Sequence, residues 1–184
     1  RLGGGNDEDL ARWNLYLGRA ELALGDPAGA LKRFKKALGR DANNIDALEG
    51  IAEVHWRSED WNSLLTTYNS IIKYARDPEQ VVRAYMTKGD VLESKLNFTD
   101  KAVLHFEKVL MYDKENVPAM VRLGQIALRK GDAERGRKYA DQANSAADGN
   151  DERAQGLLLE RLADAGENIE VEGLIRYVRE ASGA

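Results

Sequence analysis

The chain has 184 residues, of which 43% are hydrophobic and 32% are charged, and its formal net charge at pH 7 is −4. This composition predicts a folded protein with a core, and the acidic balance argues against a nucleic-acid binder, which needs surplus Lys and Arg on its binding face. The chain has no cysteine, which excludes disulfides and cysteine-based metal sites. No apolar run approaches the roughly 18 residues of a membrane span, so we expect no membrane insertion.

The first predicted element is a helix preceded by a short tail. We assign residues 1–9 to a flexible N-terminal tail that contains three consecutive glycines. The acidic residues Asp7–Asp9 would also suit a helix N-terminus, where negative charge is favourable. The helix presents Leu10, Trp13 and Leu17 on one apolar stripe.

Downstream of this helix, a pattern of apolar positions recurs about every 34 residues. Three positions of a second helix form one column: Ala30, Phe34 and Ala37, then Leu64, Tyr68 and Ile71, then Ala102, Phe106 and Val109, then Gly136, Ala140 and Ala143, and more loosely Val171, Ile175 and Val178. A column of mostly small residues lies one helix upstream, at Gly18, Ala52, Gly89, Gly124 and, imperfectly, Leu159. A third column forms the turns: Gly25-Asp26, Glu59-Asp60, Leu96-Asn97, Gly131-Asp132 and Gly166-Glu167.

Each column has a physical reason. Small residues let two helix backbones approach closely. The aspartates Asp26, Asp60 and Asp132 sit where a second helix begins, and their carboxylates can accept hydrogen bonds from its free N–H groups. Pro27 suits the first helical position. Each unit is thus a helix, a tight turn and a second helix, and such pairs must stack to bury their apolar faces.

The pattern resembles the tetratricopeptide repeat (TPR), with its Leu-Gly step, its Gly-Asp turn and its Ala, aromatic and Ala in the second helix. The resemblance implies an all-α fold, a right-handed α-solenoid of stacked antiparallel helix pairs. We divide residues 10–182 into a single array with repeats at 11–44, 45–78, 82–116, 117–150 and a degenerate, capping repeat at 152–182. The family's usual Pro at the repeat end is replaced by Ala42, Arg76 and Lys114.

Two irregularities fall in the third repeat. Residues Asp77-Pro78-Glu79-Gln80 form a helix start ahead of the repeat, so we expect its first helix to begin one turn early. The stretch Asn97–Lys101 holds one extra residue, which predicts a longer turn before Ala102.

The residues that could carry chemistry are few. His55 and His105 are the only histidines, and neither belongs to a Ser-His-Asp arrangement or a zinc motif. We therefore expect no enzyme activity, no catalytic residue, no metal site and no cofactor.

In TPR proteins the first helices line a concave groove, and the resemblance places the partner-binding residues there. The corresponding positions are Arg12, Tyr16, Arg19, Glu49, Glu53, Trp56, Arg57, Arg83, Thr87, Asp90, Arg122, Gln125, Arg129 and Arg153, with Glu160 in the degenerate repeat. Tyr16 and Trp56 are candidate binding anchors, since aromatic side chains give large contact areas. Packing between helices is an equally good interpretation of both. Arg122, Arg129 and Arg153 could receive carboxylates of a partner.

The sequence therefore predicts a protein–protein interaction scaffold or adaptor that binds a peptide or helix of another protein in this groove. The alternative is a structural element that self-assembles into a homo-oligomer or forms part of a larger multi-protein complex. A heat-shock co-chaperone role is disfavoured, because the family's carboxylate-gripping positions offer one cation and no Asn here. We expect a soluble protein, cytoplasmic or bacterial periplasmic, and the sequence does not choose between these compartments.

Overall fold

The computed structural model describes residues 7–147 together with Arg153, Gly156 and Leu162. Residues 7–147 form helices and no strand, which confirms the predicted all-α fold class over this range. The helices are α1 (Asp7–Ala23), α2 (Pro27–Leu38), α3 (Ile45–Arg57), α4 (Trp61–Tyr74), α5 (Pro78–Ser94), α6 (Thr99–Tyr112), α7 (Val117–Arg129) and α8 (Ala133–Ala146). The chain divides into two compact units, Arg1–Leu96 with α1–α5 and Asn97–Ala184 with α6–α8.

Within each unit, helices that follow one another in sequence pack together. In the first unit α2 contacts both α1 and α3, and α4 contacts both α3 and α5. The first helices α1 and α3 also touch each other. In the second unit α7 contacts α6 and α8. Sequential contacts of this kind are what stacked helix pairs require.

Phe34 is central to the core at the start of the first unit. Its side chain is fully buried, in a cluster that includes Leu15 of α1 and Ile51 of α3. A Cβ added at Gly18 or at Gly50 would lie 2.6 Å from a carbon of this ring. The ring of α2 therefore fits between the backbones of α1 and α3 because both carry glycine where it sits.

The predicted columns are buried along the described helices. The small residues Gly18, Ala52, Gly89 and Gly124 are all buried. So are the second-helix residues Ala30, Phe34, Ala37, Leu64, Ile71, Ala102, Phe106, Val109, Gly136, Ala140 and Ala143, while Tyr68 is half-buried. The loosely matching residues Val171, Ile175 and Val178 lie outside the described residues, as does Leu159.

Aspartate caps begin three of the second helices, as predicted. The carboxylates of Asp26, Asp60 and Asp132 accept hydrogen bonds from the backbone N–H groups of Gly29, Ser63 and Arg135 at 2.8, 3.1 and 2.9 Å. Asp60 interacts with the hydroxyl of Ser63 as well as with its N–H. Together these two interactions lower the pKa of Asp60. The first helices α3 and α7 are capped in the same way by Asn44 and Asn116, which the sequence analysis missed.

Both predicted irregularities of the third repeat are present. Helix α5 begins at Pro78 and has 17 residues, against 13 in each of α3 and α7, so it gains about one turn at its start. Asp77 caps it, accepting from the N–H of Glu79 at 3.0 Å. The turn between α5 and α6 has one residue more than the other turns of this kind, as the extra residue predicted.

The position of that extra residue needs a correction. The turn column placed Leu96-Asn97 opposite Gly25-Asp26, but the left-handed backbone conformation is adopted by Asn97, at φ 56°, and the cap position is taken by Phe98. The column is therefore shifted by one residue here. Asn97 fits because asparagine tolerates positive φ better than Leu96 would.

One boundary at the N-terminus is also corrected. Helix α1 begins at Asp7, inside the segment 1–9 that the sequence assigned to a tail. The acidic first turn favours this start, and Asp7 contacts Arg40, with a distance of 2.7 Å from its carboxylate oxygen to Nη1.

Candidate partner-binding surface

The first helices of the first unit carry ten of the predicted groove residues, and all ten are at least partly accessible. Eight are exposed and two, Thr87 and Asp90, are half-buried. In α7 of the second unit, Arg122 and Gln125 are half-buried and Arg129 is exposed. Arg153 is exposed as well, and Glu160 lies outside the described residues.

Three predicted residues, Arg12, Tyr16 and Arg19, line one cleft of about 510 Å³. The cleft lies between α1 and the segment that joins α2 to α3, and Arg40 and Asp46 contribute to its far side. Tyr16 is its aromatic residue and is 53% exposed. The cleft thus combines an accessible ring with guanidinium groups, a suitable set for holding a peptide by stacking and by charged hydrogen bonds.

Each guanidinium of this cleft has an intramolecular carboxylate partner. Arg19 Nη2 lies 3.0 Å from Asp46 Oδ1, which connects α1 with α3. Arg12 pairs with Asp9, and this hydrogen bond raises the pKa of Arg12. Exposed pairs of this kind contribute little to stability. A partner's carboxylate can therefore replace Asp9 or Asp46 at small cost.

Arg57, by contrast, is held in place by the fold. Its Nε donates to Glu53 at 2.6 Å, and its Nη1 donates to the backbone carbonyl of Leu22 at 3.4 Å. The second bond ties α3 to the end of α1, where the Leu22 carbonyl also accepts from the N–H of Gly25 at 3.2 Å. This residue therefore has a structural role in addition to its exposed position.

Glu49 and Glu53 form an acidic region on α3 beside Tyr68 of α4. The side chains of Tyr68 and Thr87 of α5 interact with each other. Burial is the main reason that the pKa of Tyr68 is raised, and the nearby charges of Glu49 and Glu53 raise it further. The arrangement brings predicted residues of α3 and α5 to the same aromatic side chain.

Trp56 both packs and remains accessible. Its ring contacts that of Trp61 edge to face, with the centroids 5.5 Å apart, yet 42% of the residue is exposed. The ammonium of Lys95 also packs on the Trp61 ring, 5.5 Å from its centroid. Both interpretations of Trp56, packing and available contact surface, are compatible with this geometry.

Lys88 of α5 is a buried cation that the sequence analysis missed. It is 7% exposed, its ammonium donates to Asn69 Oδ1 of α4, and burial lowers its pKa. A signal was available, because the residues one repeat away on either side are Ile51 and Leu123, both buried and apolar. A charged residue at a position that is aliphatic in the neighbouring repeats indicates either a functional site or a local departure from the repeat pattern.

A cleft of about 400 Å³ in the second unit was also not predicted. It is lined by residues of α6, α7, α8 and the turn between α7 and α8, among them Asp100, Leu123, Lys130 and Arg135. Lys130 pairs with Asp100 at its edge. The predicted α7 residues are not among its lining residues.

The sequence profile of the tetratricopeptide repeat family matches residues 21–87 and 99–165, which together make up most of the chain. The chain belongs to the tetratricopeptide repeat family. This confirms the resemblance drawn from the columns, and it places the described helix pairs in the α-solenoid class of TPR proteins. Proteins of this family generally act in protein–protein interaction.

One curated relative is the CTR9 homolog of Arabidopsis thaliana, 29% identical over 140 residues. The match covers 75% of this chain and 13% of the relative. The chain therefore spans only a small part of the length of that protein.

Solved structures of other TPR proteins have the same fold. MamA, residue 41 to its end, from Desulfovibrio magneticus RS-1 superposes with a TM-score of 0.67 at 17% identity, covering 97% of this chain and 96% of that one. YrrB, described as a TPR protein with an unusual peptide-binding site, has a TM-score of 0.63 at 15% identity. The match covers 91% of this chain and 84% of YrrB. PilF of Pseudomonas aeruginosa has a TM-score of 0.64 at 19% identity, and the match covers 93% of this chain and 72% of PilF. At these identities the similarity establishes the fold alone.

Within residues 7–147, each helix is either too short or too polar to cross a bilayer.

Proposed function

We propose that the chain is an interaction scaffold or adaptor that binds a peptide or helix of a partner protein along the first helices of its repeats. The observation that carries the proposal is the α1 cleft, where Arg12, Tyr16 and Arg19 lie together around an accessible volume. Membership of the TPR family supports protein binding in general, and the peptide-binding site of YrrB supports a peptide as ligand.

The chemistry of the cleft favours a segment with a carboxylate beside an apolar side chain. The carboxylate exchanges with Asp46 on Arg19, or with Asp9 on Arg12, and gains a charged hydrogen bond. The apolar side chain covers Tyr16, which gains contact area at low entropic cost. The remaining groove residues of the first unit, from Glu49 to Asp90, are proposed to contact the same partner through weaker interactions of mixed charge. Arg122, Gln125, Arg129 and Arg153 of the second unit are proposed as partner-binding residues of that unit.

The test begins by identifying the partner. The intact chain is immobilised, captured proteins are identified by mass spectrometry, and the segment that binds is synthesised as a peptide. Replacing Tyr16, Trp56 and Arg122 together by Ala is expected to weaken binding of this peptide by at least about tenfold, since anchors of this kind each contribute 1 kcal/mol or more. A matched control replaces Leu104 and Met111, which are 61% and 67% exposed on α6, by Ala.

A second variant keeps the outcome interpretable. Arg12→Ala with Tyr16→Ala changes only exposed side chains of α1, so we expect the melting temperature to stay close to that of the wild type. Binding that survives both variants while the controls behave alike would contradict the groove assignment. The absence of enzyme activity, of nucleic-acid binding and of a cofactor stays a prediction.

A further inference from the structure

Helix α1 carries an exposed apolar stripe on a face different from that of Arg12 and Arg19. We call Leu10, Trp13, Leu17, Ala20 and Leu24 the α1 stripe; its four large residues are 37%, 64%, 43% and 86% exposed, and Ala20 is exposed too. The helical hydrogen bonding extends to Leu24, whose N–H donates to the Ala20 carbonyl at 3.0 Å. The spacing alternates three and four, which is the spacing by which two helices pair along a narrow seam.

Exposed apolar side chains are concentrated at this place. Among the described residues ten large hydrophobic side chains are exposed, and five of them, the four large stripe residues and Tyr16, lie in or next to α1. Single exposed hydrophobic residues are normal on a protein surface, but a contiguous set marks an interaction site.

The α1 stripe differs from the face by which α3 packs on the preceding helix α2. One repeat later the positions of Trp13 and Tyr16 are Ala47 and Gly50, and a Cβ at Gly50 would already lie 2.6 Å from the ring of Phe34 in α2. In α1 these places hold two aromatic rings that pack edge to face, 6.4 Å between centroids. An aromatic residue like Phe34 would therefore meet two aromatic side chains here and not a glycine backbone.

We infer that the α1 stripe pairs with the same stripe of a second copy of this chain, antiparallel, with the two-fold axis at Leu17. The order of the residues supports this partner. In that arrangement Leu10 meets Leu24 of the other copy, and Trp13 meets Ala20, so the largest side chain lies opposite the smallest. An isologous contact of this kind closes a dimer and leaves no open end.

The charges beside the stripe allow two copies to approach. Asp9 and Glu21 flank the stripe, and each already has a cationic partner: Asp9 pairs with Arg12, and Glu21 Oε1 lies 2.9 Å from Arg33 Nε. The stripe itself contains no charged residue. Two identical faces therefore meet without unpaired like charges, which would otherwise oppose the contact.

The interface is a single helix pair, below the roughly 1,200 Å² of a standard stable interface, so self-association is expected to be weak. A dissociation constant between about 1 μM and 1 mM is the range to search. Sedimentation velocity of the intact chain over this range should show a reversible monomer–dimer equilibrium. A chain that stays monomeric up to about 1 mM would overturn the inference.

Introduced cysteines test the geometry, since the chain has none of its own. Leu17→Cys lies on the axis and should form a covalent dimer under mild oxidation, because a disulfide needs Cα atoms about 4.4–6.8 Å apart. Leu10→Cys and Leu24→Cys should each remain monomeric alone and cross-link when mixed. Leu104→Cys on α6 is the control for random collision. Cross-linking of Leu10→Cys with itself, or of Leu17→Cys no faster than the control, would refute antiparallel pairing.

A charge on the axis tests the energetics separately. Leu17→Glu places two carboxylates together, and it should weaken dimerisation by at least tenfold while Leu104→Glu leaves it unchanged. Both positions are exposed, so circular dichroism should show unaltered melting. Association that Leu17→Glu does not change would overturn the inference. Neither variant alters Arg12, Tyr16 or Arg19, so both test self-association of the peptide-free chain without removing a residue of the cleft.

Discussion

The ring of Phe34 occupies the space that a side chain at Gly18 would need. A Cβ built at Gly18 lies 2.6 Å from Phe34 Cε1, and the same ring is equally close to a Cβ built at Gly50 on its other side. Phe34 is fully buried, so a shift of its ring would have to displace packed neighbours. This relationship sets the distances from α2 to α1 and from α2 to α3.

Gly18→Ala should therefore destabilise the chain. Alanine is favoured over glycine in a helix by roughly 0.5–1 kcal/mol, but overpacking against the buried ring costs about 1–3 kcal/mol. We expect a net loss of about 1–2 kcal/mol in the free energy of unfolding, measured by urea denaturation. The control is Gly39→Ala, where φ is −66° and the nearest atom lies 3.4 Å from the added Cβ. A stabilising Gly18→Ala would contradict the tight fit.

Glu59→Gly should stabilise the turn between α3 and α4. Glu59 has φ 56°, a left-handed conformation that strains a residue with a Cβ, whereas the equivalent Gly25 and Gly131 adopt it freely. The expected gain is about 1 kcal/mol by chemical denaturation. Gly25→Ala should lose a similar amount. If both variants leave stability unchanged, the left-handed conformation is not costly in this turn.

Phe98→Asp should stabilise α6. Phe98 occupies the cap position with φ −95° and ψ 62°, close to the angles of the capping residue Asp60, but it has no side-chain hydrogen bond to the helix. An aspartate there can accept from the N–H groups of the first turn, which contributes about 1 kcal/mol. Phe98→Asn should give a comparable gain if the hydrogen bond, rather than charge, is the cause. The converse variant is Asp132→Ala, which removes an existing cap and should lower the free energy of unfolding by about as much as Phe98→Asp raises it.

Lys88→Met should raise stability at neutral pH and lose this advantage in alkali. Burial lowers the pKa of Lys88 below its ordinary value. Between the lowered pKa and about 10.5 the unfolded chain binds more protons than the folded one, so the stability of the wild type rises with pH in this window. We expect Met at this position to add about 1 kcal/mol at pH 7, because an apolar side chain needs no hydration.

The measurement for Lys88 is thermal or urea unfolding of both proteins at pH 7 and near pH 10. The difference between them should shrink at the higher pH as Lys88 in the wild type becomes neutral when folded. Asn69, its hydrogen-bond partner, is exposed and can bond to water once Lys88 is gone. A difference that is constant with pH would show that the lysine carries no burial penalty.

The sequence by itself determined the helical class, the columns that pack and most second-helix starts. These features depend on local spacing: Gly18 and Phe34 recur at repeat intervals, and a carboxylate such as Asp26 needs only the next turn of its own helix to form a cap. The longer turn before α6 could also be predicted from one extra residue, although not which residue adopts the left-handed conformation.

Only the tertiary structure decided how the candidate site is arranged. It pairs Arg19 with Asp46, ties Arg57 to the Leu22 carbonyl and packs Trp56 on Trp61. It also buries Lys88 while leaving Leu17, in the same repeat position, exposed. Exposure, charge pairing and burial depend on which neighbouring helix covers a side chain, and a residue's own repeat position does not contain that information.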